Sequence, residues 1–178
     1  MNDMPKISKE TMVKDEQKVL EILQSNAKDS IDDIAKKCRL SRQKVWRIIK
    51  KLEKEKAIWG YAAIADDDSI GMKHYIMLFK RTTQPASKEM IDEIAFKKLE
   101  DIFQDLNIRI ENIDYVHGCY DGVISFWTDS LINAKKFIGR FSIHMQGLIE
   151  NTELLETIFP IRKQTIKNPR MKRLSEYL

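Results

Sequence analysis

Between residues 36 and 56 the chain reads KKCRLSRQKVWRIIKKLEKEK, ten Lys or Arg against two Glu, threaded by apolar residues at helical spacing. Guanidinium and ammonium groups gathered on one side of a helix suit phosphate binding, and together with Gln they can read base edges. At about 100° per residue, Val45, Ile48, Ile49 and Leu52 form one stripe. Gln43, Arg47, Lys50 and Lys54 lie opposite it, with Trp46 on one flank and Lys44 and Lys51 on the other. Base edges are reached from the N-terminal part of a recognition helix, so Arg42, Gln43, Trp46 and Arg47 are the candidates for groove contact, behind a capping Ser41. Lys44, Lys50, Lys51 and Lys54 are the candidates for phosphate contact. Solubility alone can make a surface helix Lys-rich, and Trp46 has a packing role open to it. The set says more than any member, because a Ser cap, a short turn and a one-sided cationic face coincide.

Such a face needs elements to hold it. Val19, Leu20, Ile22 and Leu23 give a first helix from Asp15 to about Ser25. Ser30 and Asp33 have capping-box spacing, which starts a second helix at Ile31 that buries Ile34, Ala35 and Cys38. Ser41 caps the third, with only Arg39 and Leu40 between, the sequence form of a helix-turn-helix. Ala57 to Ala65 (AIWGYAAIA) reads as a strand or hairpin forming a wing, and Asp66, Asp67 and Asp68 read as a turn or helix cap rather than a metal site.

The net charge of +4 conceals three unlike segments: residues 1–60 carry 15 basic and 10 acidic side chains, residues 61–159 carry 10 and 16, and residues 160–178 carry 6 and 1. A polyanion would approach the first and last, while the acidic middle serves another purpose. Cys38 and Cys119 have no CxxC spacing and read as reduced thiols. No leader and no apolar run of about 18 residues is visible, so a cytoplasmic chain with no membrane association is expected.

The middle segment has its own rhythm. Strands are expected at His74–Lys80, Ile108–Val116, Val123–Trp127 and Leu148–Phe159, and amphipathic helices at Ser87–Leu106 and Ser130–His144. The order β-α-β-β-α-β is ferredoxin-like, with both helices on one face of a four-stranded antiparallel sheet. Tyr75, Met77 and Phe79 alternate with Ile76 and Leu78, so both faces of the first strand are apolar and a second copy of the chain is expected to cover the free one. The fold class is therefore α+β. Its division is an arm over 1–13, a winged helix-turn-helix over 14–65, a linker over 66–72, a ferredoxin-like dimerisation and effector domain over 73–159, and a basic tail over 160–178. A solvated end is the plain reading of that tail, although Pro169 to Leu174 could start a helix along DNA or a partner.

Over residues 13–159 the chain resembles the Lrp/AsnC family of prokaryotic transcription regulators. The resemblance rests most on Ser41, Val45, Arg47, Leu52, Glu53, Ile58, Gly60 and Tyr61, and on the GCYDG turn. It implies a double-stranded DNA partner and homodimers that assemble further into octamers. It also implies an amino acid or other small effector bound between subunits near Gly118, Tyr120 and Asp121. A tight β-turn is the alternative reading of that loop. Three positions depart from the family pattern: Lys56 where Gly usually closes the recognition helix, Ile48 where a second Arg is common, and Gly122 where an aromatic is usual.

Sirohaem decarboxylases share this two-domain layout, so an enzyme is one alternative reading, and a dimeric co-regulator that does not touch DNA is another. His74, His117 and His144 are scattered, and the chain contains no P-loop, Rossmann glycines, nucleophile elbow or Cys/His constellation. No catalytic residue, metal or cofactor is expected.

Overall fold

The computed structural model describes residues 9–96 and 99–178. It divides into two compact units, Met1–Ile64 with Ile161–Arg173, and Ala65–Pro160 with Leu174–Leu178. In the first, α1 (Lys9–Ser25) begins earlier than expected, so the arm assigned to residues 1–13 is helical from Lys9 and its remainder lies outside the described residues. The stretch between Pro5 and Asp15 contains no breaker to stop the helix extending in that direction.

α2 (Ile31–Cys38) starts where the Ser30 hydroxyl accepts the Asp33 N–H at 3.1 Å and donates to the Asp33 carboxylate at 2.6 Å. Hydrogen bonding from that hydroxyl, helped by Lys36 and Lys37, holds the Asp33 carboxyl below its usual range against the opposing cost of desolvation. The helix ends at Arg39, whose φ of 56° is left-handed: Arg39 N–H donates to Lys36 and Leu40 N–H to Ala35, the paired bonds of a Schellman close. Ser41 then caps α3 (Arg42–Lys54) through the Lys44 N–H.

α3 stops by the same device. Lys56 takes φ 59°, its N–H reaching the Glu53 carbonyl while Ala57 N–H reaches that of Leu52 at 2.9 Å. A lysine thus adopts the backbone conformation that glycine adopts freely, which adds strain but closes the helix in the same shape. Val19, Leu23, Ile34, Ala35, Cys38, Val45, Ile48 and Leu52 form the core of the unit. Burial pushes the Cys38 thiol up, as befits a packed, unreactive sulfur. Ile48 is one of these core residues and so makes no surface contact.

The expected wing is not a strand. The chain bends at residues 57–58, and neither these nor residues 59–66 belong to either sheet. Apolar, β-prone sequence makes a strand only where a neighbouring strand offers its N–H and C=O groups in register, and no such ladder forms here.

The second unit opens with α4 (Asp67–Ile70), a single turn entered from Asp66, so the triple acid is a helix start within what had been read as a linker. β1 (Lys73–Arg81) follows, then α5 (Lys88–Phe96), α6 (Leu99–Ile102) and a 3-10 turn at Gln104–Leu106 in place of the last turn of one regular helix. β2 (Arg109–Tyr115), β3 (Gly122–Thr128), α7 (Leu131–His144) and β4 (Ile149–Glu156) complete it. The sheet order is β2-β3-β1-β4, antiparallel throughout, which is the expected ferredoxin-like arrangement. Tyr75, Met77, Phe79, Ile124 and Phe126 face the helices and meet Phe103, Phe137 and Phe141 in one core, with Phe126 and Phe137 edge to face at 4.8 Å.

The C-terminal residues are folded rather than a solvated end. β5 (Arg162–Lys163) and β6 (Ile166–Lys167) form a hairpin that belongs to the first unit, and a 3-10 helix covers Met171–Glu176. Among the described residues no helix is long and apolar enough to cross a membrane.

Candidate nucleic-acid interface

The capped helices α2 and α3 pack with α1, which leaves α3 with one side in the core and the other to solvent. Ser41, Arg42, Gln43, Trp46, Arg47, Lys50 and Lys54 are all exposed, and Trp46 keeps 51% of its surface. Arg47 and Lys54 have no ion-pair partner among the described residues. Arg42 lies 3.4 Å from Asp32 at an exposed site, and Lys50 donates to Glu53 at 2.8 Å. Glu53 also accepts from the Tyr61 hydroxyl at 3.2 Å. Glu53 lifts the Lys50 ammonium above its usual range, and Lys50 and Tyr61 hold the Glu53 carboxyl low.

Two of the nine candidates point elsewhere. The Lys44 ammonium reaches back 2.5 Å to Asp15, which is itself buried, and Lys51 donates to Glu16 at 2.7 Å. Hydrogen bonding to Glu16 raises the Lys51 pKa. Adjacent acids on α1 therefore clamp α3 against its neighbour through two lysines seven residues apart. Helical periodicity put both lysines on the flank, but it carries no information about which carboxylates another helix brings to that flank. The DE pair four residues before Val19 is the only trace of the clamp in the sequence.

The loop read as an effector site is built into the second unit. The Asp121 carboxylate accepts the Arg81 N–H at 2.8 Å, beside the irregularity at Lys80/Arg81 in the β1–β4 ladder, and Asp121 N–H donates to the Phe79 carbonyl. The Tyr120 hydroxyl hydrogen-bonds Glu153, and the Lys80 ammonium donates to the Cys119 carbonyl at 3.3 Å. Gly118 does not take a positive φ, contrary to the turn chemistry expected of it; the glycines that do are Gly71 and Gly147. His117 is exposed, His74 lies between Thr157 and Glu111, and His144 lies 3.2 Å from Glu93. These carboxylate partners are distant in sequence, so spacing could not reveal them. No group of three His, Cys, Asp or Glu among the described residues could hold a metal ion.

A capped helix-turn-helix with a one-sided cationic face defines a helix-turn-helix module of the DNA-binding kind, in a chain that also carries a ferredoxin-like unit. A family model described as "Winged helix-turn-helix DNA-binding" matches residues 16–58. The chain is 27% identical over 138 residues to the Bacillus subtilis protein YugG, described as an uncharacterized HTH-type transcriptional regulator, covering 77% of this chain and 80% of that one. Its fold is shared with an AsnC family transcriptional regulator from Agrobacterium tumefaciens at TM-score 0.64 and 20% identity, covering 86% and 95% of the two chains. The Neisseria meningitidis regulator NMB0573, solved with L-Met, also has TM-score 0.64, at 16% identity over 90% and 97%. Residues 16–58 thus match a helix-turn-helix DNA-binding model, and the chain as a whole shares the two-unit fold of these regulators.

Proposed function

We propose that the protein is a sequence-specific DNA-binding transcriptional regulator that acts as a homodimer, with α3 of each copy in successive major-groove faces about 34–36 Å apart. The observation that carries this reading is the outward row Gln43, Arg47 and Lys54, exposed on a helix whose opposite side is fully packed. Arg47 and Gln43 lie toward the N-terminal half and suit base edges, whereas Lys54, in the last turn, suits phosphate. Arg47→Ala should weaken a specific site by about 1–3 kcal/mol and random duplex much less, while Lys54→Ala should weaken both alike. Titration of a selected site and a scrambled duplex against both variants checks this. Equal losses on the two duplexes for Arg47→Ala would remove the assignment of base reading to that residue.

The free face of the sheet supports the dimer. Ile76, Leu78, Val123 and Leu155 lie there in register, opposite to the side packed under the helices, and Leu155 keeps 47% of its surface. For the effector we infer an amino acid beside Gly118 and Tyr120, with Asp121 holding the loop rather than the ligand. A fold-mate solved with L-Met supports that class of ligand. Such a ligand at about 100 times its Kd should add about 2.7 kcal/mol of stability. A thermal-shift screen in which none of the common amino acids moves the melting temperature would discard the amino-acid assignment.

A further inference from the structure

Residues 161–173 hold six Lys or Arg and no Asp or Glu, and the fold gathers them into the DNA-reading unit. That unit thereby carries 21 basic and 10 acidic side chains, net +11, against 10 and 17, net −7, in the other. Segregation on this scale makes the first unit a far stronger attractor of polyanions than its helix-turn-helix alone.

The hairpin is attached in a defined orientation. The Thr165 hydroxyl donates to the Gln24 carbonyl at the end of α1 at 3.0 Å, and Gln164 turns the chain at φ 50°. Ile166 and Gln164 line an open groove of about 920 Å³ together with Leu20, Leu23 and Ile58. Lys163 pairs with Ile166, and Arg162 with Lys167, so period-two alternation puts the second pair on the opposite face, away from the groove. Arg162 and Lys167 are both exposed and directly opposite each other, with no carboxylate partner among the described residues. Like charges in cross-strand register repel, and an anion bridging them reverses the sign of that interaction.

We propose that this hairpin is a second phosphate-binding element, in which Arg162 and Lys167 grip the DNA backbone outside the stretch read by α3. It provides the two-stranded ladder that residues 57–65 do not form, and the inference rests on the DNA-binding reading above. Phosphate contacts carry no sequence information, so the contribution is the same on random and specific duplex.

The test is anisotropy of a labelled random-sequence duplex against salt, using the full chain. For Arg162→Gln/Lys167→Gln, the slope of log K against log salt should become shallower by about 1.8 per protomer, and affinity at about 100 mM should fall on the order of 10- to 60-fold. Lys167→Glu, which turns the repelling pair into an attracting one, should melt no lower than wild type and yet bind DNA more weakly. Lys135→Gln/Lys136→Gln on α7 should leave the slope unchanged. A wild type that binds, with hairpin variants that match it in affinity and slope, overturns this proposal alone. A wild type that binds no duplex at low salt overturns the DNA-binding reading as well. Variants that lose binding to phosphatidylserine vesicles while DNA affinity is unchanged would overturn it in favour of a lipid surface.

Discussion

Raising salt from about 50 to 200 mM is expected to weaken duplex binding by roughly three to five decades. The magnitude follows from which cations the fold leaves available. α3 carries six Lys or Arg, but Lys44 and Lys51 are neutralised by Asp15 and Glu16, and Lys50 by Glu53. Arg47 and Lys54 remain, together with Arg42, whose exposed contact with Asp32 is long at 3.4 Å, which makes about six contacts per dimer and a log–log slope of about −5. The hairpin pair would carry the total to about ten contacts and the slope to about −9. Had every cation of the helix met a phosphate in addition to the hairpin pair, the slope would be steeper still, so the measurement distinguishes the folded arrangement from a count of basic residues. Leu78→Asp, which puts a charge on the free sheet face, should yield a monomer by sedimentation and about half the slope. A slope unaltered in a variant that sediments as a monomer would exclude dimeric engagement of DNA.

Gly122→Ala is expected to destabilise the ferredoxin-like unit by about 3 kcal/mol, the upper end of the usual cost of overpacking. Gly122 lies between Phe79 on β1 and Tyr115 on β2 in the ladder. A Cβ there would stand 2.0 Å from the Phe79 ring. The ring cannot swing aside cheaply, being buried edge to face against Tyr115 at 6.2 Å and beside Phe141 at 6.1 Å. The glycine is thus a seat for a cross-strand aromatic. Denaturation followed through Trp127, in a chain with Trp46→Phe and Trp59→Phe, measures the cost. Phe79→Leu in the same background should recover part of the loss, a coupling of about 1 kcal/mol or more. A Gly122→Ala variant within about 0.5 kcal/mol of its parent would show that the ring yields.

Local rules made the helix-turn-helix legible. Ser30 and Ser41 declare the starts of α2 and α3, the 3.6-residue rhythm selects Val45, Ile48 and Leu52 for burial, and alternation marks Tyr75, Met77 and Phe79 as one face of β1. Each depends on interactions within about four residues, or on one face meeting any apolar surface at all. The element order then left the ferredoxin-like arrangement as the natural packing. Whatever depended on a partner far along the chain could not be read this way.

Residues 57–65 had the composition of a strand and joined no ladder, while the tail had the composition of a loose end and found partners in itself and in α1. In the fold Lys44 and Lys51 meet Asp15 and Glu16 of α1, and the Asp121 carboxylate meets the Arg81 N–H, contacts that the sequence did not announce. Periodicity assigns a side chain its direction, because direction is a property of the local backbone. What waits at the end of that direction is settled only when distant segments are brought together, and hydrogen bonds and ion pairs, being short-ranged and directional, are decided at that stage.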